Sequence, residues 1–260
     1  MRIPFRLVAV ALAVAAAPPA AAAQPDPIDV AAPGAWSYTG PTGPAFWASR
    51  LGFAACAGPR QSPVDLPAGT PAPPLAVTLD YPPRNPGRLE NTGHSVYIFL
   101  QEPASLRVAD TTFAFREMHV HVPAEHLVRG TRHAAEIHAV HQQGDGSRAV
   151  LTTFVAQGAH NAAWNTVIAA LPGNKGDVNP IGDTDLVALL GLGGLAREPL
   201  YSYAGSLTTP ACTPNVRFLI RQRPITLSRE QVEALAAAFA RNVRPVFPAT
   251  TPILLHRGAP

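Results

Sequence analysis

The sequence predicts a single, mainly β domain, and three observations carry that expectation. The 260-residue chain has 29 prolines and 20 glycines against only 14% charged side chains, a composition that interrupts long helices and rules out a coiled coil. From Leu89 onward, short runs rich in β-branched and aromatic residues recur between turn signals. Hydrophobic residues make up 47% of the chain, enough for a substantial core and too many for a disordered protein.

Taken in order, the chain opens on a targeting pattern. Met1–Arg6 carries two arginines, Leu7–Ala17 is an unbroken apolar run, and Ala21-Ala22-Ala23 stands before Gln24. These are the three parts of a secretory signal peptide over residues 1–23. The apolar run is too short to span a bilayer, which takes about 20 residues. Removing it takes away Arg2 and Arg6 and leaves 18 basic side chains facing 17 acidic ones. The mature chain is therefore nearly neutral, and a nucleic-acid partner is excluded for want of a basic stripe. The expected location is the periplasm or outside the cell, with no membrane span after cleavage. In that oxidising space Cys56 and Cys212 favour a single disulfide, the alternative being two separate buried thiols.

Residues 24–35 read as a flexible arm and residues 36–260 as one domain without internal repeats. Up to residue 88 the prolines and glycines predict irregular coil with short strands. Strands are expected over Ser95–Leu100, Leu106–Val108, Thr112–Phe115, Met118–Val122, Glu136–His141 and Ala149–Ala156, with a hairpin turn at Gly144-Asp145-Gly146. Arg217–Ile220 and Ile225–Leu227 are further strands. Two helices are expected. Asn161–Leu171 is apolar at helical spacing, and Ser228–Ala240 begins with a Ser228/Gln231 capping box.

The most informative feature is the set of nine histidines. His119 and His121 stand two apart on an expected strand and so share a face. Glu136 and His138 have the same spacing on another. An isolated H-x-H reads most simply as two histidines on a solvated face. If the two strands pair antiparallel, however, three imidazoles meet and leave the fourth tetrahedral position of Zn2+ open, as in a catalytic site. Glu136, and Glu117 two residues before His119, are placed to anchor the outer ring nitrogens. The run from His119 to Glu125 also satisfies H-x-H-x-x-x-E, so a cupin-like metalloenzyme with Glu125 on the metal is the competing reading.

The order and spacing of longer motifs separate these readings. Trp36-Ser37-Tyr38, Gly43-Pro44 with Trp47, Gln61-Ser62-Pro63-Val64, Asn91-Thr92-Gly93-His94, the run His119–His126, the run Ala135–His141, the run Tyr203–Pro210 and Asn242-Val243-Arg244-Pro245-Val246 span most of the mature chain. In these motifs the sequence resembles the α-class carbonic anhydrases of the exported bacterial type. The resemblance implies an α+β, mainly β fold: a large twisted, mostly antiparallel central sheet with short peripheral helices. It implies reversible hydration of carbon dioxide to bicarbonate and a proton, by attack of zinc-bound hydroxide and with a histidine proton shuttle. Residue by residue, His119, His121 and His138 match the zinc ligands. Thr208 with Glu125 matches the hydroxyl gate, and His94 matches the shuttle. Val140, Val150 and Leu207 match the apolar substrate pocket, with Thr208 and Thr209 as its polar neighbours. Glu136 matches a partner of the third ligand, and Cys56 with Cys212 the usual disulfide. His126 and His141 are assigned structural roles near the site.

Four positions depart from the family pattern. Glu117 stands where Gln is usual, Tyr97 where a small amide is common, Phe218 where a pocket Trp is normal, and Ala211 where a second proline follows. None removes a ligand, so an active enzyme is expected rather than a non-catalytic binding module of the same fold. The partner is a small molecule, carbon dioxide or bicarbonate, and a homodimer is left open.

Overall fold

The computed structural model describes residues 36–258, so the expected signal peptide and arm lie outside the described residues. In chain order the strands are β1 (Asp65–Leu66), β2 (Thr70–Ala72), β3 (Val77–Asp80), β4 (Asn85–Asn91), β5 (Val96–Leu100), β6 (Ser105–Val108), β7 (Thr111–His121) and β8 (Leu127–Val128). Then come β9 (Ala135–Gln142), β10 (Arg148–Gln157), β11 (Val178–Thr184), β12 (Leu200–Ser206), β13 (Pro214–Arg221), β14 (Ile225–Leu227) and β15 (Leu254–His256). The α-helices are α1 (Asn165–Ala169), α2 (Leu186–Leu190) and α3 (Arg229–Ala238).

One large sheet runs β11-β4-β5-β7-β9-β10-β13-β12-β15-β2, and β1 pairs with β8 apart from it. Most ladders are antiparallel, as expected. The parallel pairs in the large sheet are β10 with β13 and β14, and β15 with β2. No helix among the described residues is long and apolar enough to cross a membrane.

The central strands are buried on both faces, which is why they read as near-continuous apolar runs. Met118, Val120, Ile137, Ala139 and Leu151 point into the larger core, under α1, α2 and α3. On the opposite face Val140, Val150, Phe154 and Phe218 join a second apolar cluster with Tyr203 and Leu207. The candidate site occupies this second face.

Two expectations are corrected. Thr112–Phe115 and Met118–Val122 are not separate strands but parts of β7, which is continuous and carries a register shift between Phe115 and Glu117. Before the shift Phe115 lies opposite His141, and after it Glu117 lies opposite Val140. The extra residue, Arg116, reverses the alternation. Phe113 and Phe115 pack on the larger core, whereas Glu117, His119 and His121 are turned to the site face.

The second correction concerns Asn161–Leu171, which is a 3-10 turn at Ala162–Trp164 followed by the short α1. The Asn161 side chain caps the turn by accepting from the Ala163 N–H. The indole N–H of Trp164 donates to the Leu189 carbonyl at 3.0 Å, so packing against α2 helps to set this geometry. The expected capping box at Ser228 and Gln231 is present at the start of α3. The Cys56–Cys212 disulfide is formed and packs against Trp36 and Trp47.

Candidate metal centre

Pairing of β7 with β9 places His119 directly opposite His138 and His121 opposite Glu136. Facing nitrogens of His119, His121 and His138 all lie within 4.8 Å of one another, and all three rings are buried. Each outer nitrogen is occupied. His119 Nδ1 donates to Glu117 Oε2 at 2.8 Å, His121 Nδ1 to the Asn242 carbonyl at 2.7 Å, and His138 Nε2 to Glu136 Oε1 at 2.6 Å.

Those anchors set the tautomers and leave His119 Nε2, His121 Nε2 and His138 Nδ1 with inward lone pairs. His119 Nε2 and His121 Nε2 stand 3.1 Å apart. Two ligands at a Zn–N distance of about 2.0–2.1 Å in a tetrahedron are separated by roughly 3.3 Å, so this donor set fits zinc. Burial and the neighbouring imidazoles hold His121 well below the usual histidine range, and burial pushes His138 down to about 4. Both rings are therefore neutral at physiological pH, the form that binds a cation.

Glu136 belongs to a second cluster with His126 and His138. Its Oε2 accepts from the Glu125 and His126 backbone N–H groups, both at 2.8 Å, and its Oε1 accepts from His126 Nδ1 at 2.6 Å as well as from His138. Burial raises its pKa, but His126 and His138 overcome that and keep it well below the carboxylate range. With these acceptor positions filled, Glu136 anchors the His138 and His126 rings. The chain continues outward: the Tyr203 hydroxyl donates to His126 Nε2 at 2.6 Å, and Ser62 Oγ donates to Tyr203 at 2.8 Å. Gly205 has no Cβ because one would collide with Ser62 Oγ.

Glu125 is fully buried. Its Oε1 accepts from the Arg244 backbone N–H at 2.9 Å, and Thr208 hydrogen-bonds its carboxyl. Burial pushes it up to about 8, against the pull of the Thr208 and Arg244 hydrogen bonds. A cation among the three imidazoles acts in that same downward direction. Glu125 Oε2 lies 3.4 Å from His121 Nε2, but among the described residues Glu125 does not join His119, His121 and His138 in a cluster able to hold a metal ion.

Beside the triad is a cavity of about 20 Å3, enough for one or two water-sized molecules. Val140, Val150, Leu207 and Phe218 form its apolar wall, and Thr208, Thr209, Glu117 and Tyr97 face them. Tyr97 lies opposite His119 in the β5–β7 ladder, with ring centroids 5.0 Å apart. His94 is not part of this lining. Its ring stacks on Trp36 at 3.7 Å, and its Nε2 donates to the Trp36 carbonyl at 3.0 Å.

A family model, eukaryotic-type carbonic anhydrase, matches residues 42–247. The chain belongs to the α-carbonic anhydrase family. A carbonic anhydrase of Nostoc sp. is 33% identical over 221 residues, covering 82% of each chain. The α-carbonic anhydrase of Photobacterium profundum superposes with a TM-score of 0.78 at 33% identity, over 85% of this chain and all of that one. That of Thermovibrio ammonificans, solved with the inhibitor sulfanilamide, gives 0.79 at 29% identity, over 85% and 98%. This chain is accordingly a carbonic anhydrase enzyme.

Sequence reasoning assigned no role to Asn242, Arg244, Tyr203 or Ser62 in this carbonic anhydrase, although all four stand in the motifs that carry the family likeness. Asn242 holds His121 through its carbonyl and ties down β7 through its side chain, which accepts from Val122 N and donates to Val120 O. The Arg244 guanidinium donates to the carbonyls of Ser62 and Cys56 and to Gln61 Oε1. His126 and His141 are hydrogen-bonded and buried, in line with structural roles.

Proposed function

We propose that the enzyme hydrates carbon dioxide reversibly to bicarbonate and a proton at a zinc ion held by His119, His121 and His138. The observation that carries this reading is the inward convergence of three imidazoles whose outer nitrogens are all anchored. Bound zinc lowers the pKa of its water to about 7 and so supplies a nucleophile at neutral pH, a property for which carbonic anhydrase is the standard example.

The chain's residues then divide the work. Glu117, the Asn242 carbonyl and Glu136 keep the three rings aimed. Thr208 gives its hydroxyl proton to Glu125, so its oxygen can only accept, and it selects a nucleophile that carries a proton and turns its lone pair to the substrate. Val140, Val150 and Leu207 offer a dry wall to an apolar substrate of three atoms, with Thr209 as a polar neighbour. The hydration step leaves one proton to be moved to solvent, and His94, half-buried near the surface, carries it. Burial lowers the His94 pKa, so the ring is neutral and able to take up a proton at pH 7, as a weaker base than an exposed imidazole. The disulfide supports the reading that residues 1–23 direct export, to the periplasm or outside the cell.

The test combines zinc analysis with stopped-flow hydration. The wild-type chain should hold one zinc per molecule and hydrate carbon dioxide, and His119→Ala should lose both. Unchanged hydration by that variant overturns the assignment.

A further inference from the structure

We infer that Glu117 is a specificity-determining residue that turns the pocket against anions while leaving it open to uncharged carbon dioxide, an inference that rests on the zinc-site reading above. Glu117 is 2% exposed and lines the cavity beside His119, to which its Oε2 is bonded at 2.8 Å. No lysine or arginine lines that cavity among the described residues, so the carboxylate is its one acidic or permanently charged side chain. Two more carboxyl groups stand close by without lining the cavity: Glu136 on His138, and Glu125, whose Oε2 lies 3.4 Å from His121 Nε2. A bound divalent cation is thus ringed by three carboxyl groups, and Glu117 is the one that lines the cavity.

The surroundings strengthen this effect. Tyr97 crosses from β5 to lie over His119, and Val140, Val150, Leu207 and Phe218 line the other side with apolar surface. In such a setting charges are poorly screened. Carbon dioxide carries no net charge and is not repelled, whereas bicarbonate, the anionic product, and small inhibitory anions are. Hydration is favoured by faster release of product, and selectivity comes from a repulsive group set against the wrong ligand.

The experiment titrates azide into the zinc-loaded protein by calorimetry, for the wild type, Glu117→Gln and Glu117→Asp. Removing this charge should tighten azide binding at least about tenfold, equivalent to about 1.4 kcal/mol. Glu117→Asp keeps the charge and should stay within about threefold of the wild type. The ratio of the KM for bicarbonate to that for carbon dioxide should fall in Glu117→Gln. Equal azide affinity in wild type and Glu117→Gln, or an equal shift in Glu117→Asp, overturns the inference. If Glu117→Gln does not fold or keep zinc, Glu117→Asn gives the same comparison. Calorimetry needs no turnover, so a protein that binds azide without hydrating carbon dioxide fails the catalytic reading while the azide series still decides the role of Glu117.

Discussion

His121 Nδ1 donates to the backbone carbonyl of Asn242, 121 residues further along the chain, at 2.7 Å. The two other histidines of the cluster take their outer partners from side chains two residues away on their own strands. His121 depends instead on a coil segment, and that segment is held by the Asn242 side chain gripping Val120 and Val122.

Asn242→Ala removes both side-chain hydrogen bonds and leaves the Val122 N–H without its partner, while the Val120 carbonyl keeps its bond from Ser95 Oγ. It should cost about 1–3 kcal/mol in urea unfolding. Because the carbonyl that orients His121 is freed, zinc should also pass to a chelator on the order of 10–100 times faster than from the wild type. Stability loss with unchanged zinc release assigns Asn242 to packing alone.

His94→Ala should slow turnover about tenfold or more in dilute buffer, where proton removal limits the rate. Added imidazole should restore much of that loss. The lowered pKa of His94 has a further consequence in the wild type: the ring stays neutral as pH falls past 6.5, and its contribution to turnover should be lost only below that value. A variant as fast as the wild type without imidazole rejects the role.

His141 gives a pH dependence of stability. Its ring is fully buried, accepts from the Tyr81 hydroxyl at 2.5 Å, and is pushed down to about 3 by burial. Between the unfolded value near 6.5 and about 3 the unfolded chain binds the extra proton, so stability falls as pH falls across that window. The slope is about 1.4 kcal/mol per pH unit. The advantage of the wild type over His141→Gln should therefore shrink by about 2 kcal/mol between pH 6.5 and pH 5, measured by urea unfolding at each pH.

The disulfide joins residues 156 apart in sequence. Closing so long a loop restricts the unfolded chain by about 5 kcal/mol in the loop-entropy model. The Cys56→Ser, Cys212→Ser double variant should melt at least about 10 °C lower. An unchanged melting temperature means the reduced chain is restrained by other contacts.

Much of this site is legible in the linear order of residues, and the rest is not, for a physical reason. A strand has a period of two, so H-x-H and E-x-H each commit two side chains to one face whatever surrounds them. That local rule placed His119, His121, Glu136 and His138, and the longer motifs added Thr208 and Glu125. Phe115 and Glu117 belong to opposite faces of β7, and only the extra residue between them makes one continuous strand of the two expected ones. Whether such a residue becomes a bulge depends on the partner strand β9 and the two cores competing for the side chains. The hold of Asn242 on His121, the Glu136–His126–Tyr203–Ser62 chain and the clamp of Arg244 on residues 56–62 likewise join segments far apart in sequence. The sequence by itself determined which residues could share a face. Only the tertiary structure decided which faces meet, because strand register and the carbonyls of coil segments are set by long-range packing rather than by spacing.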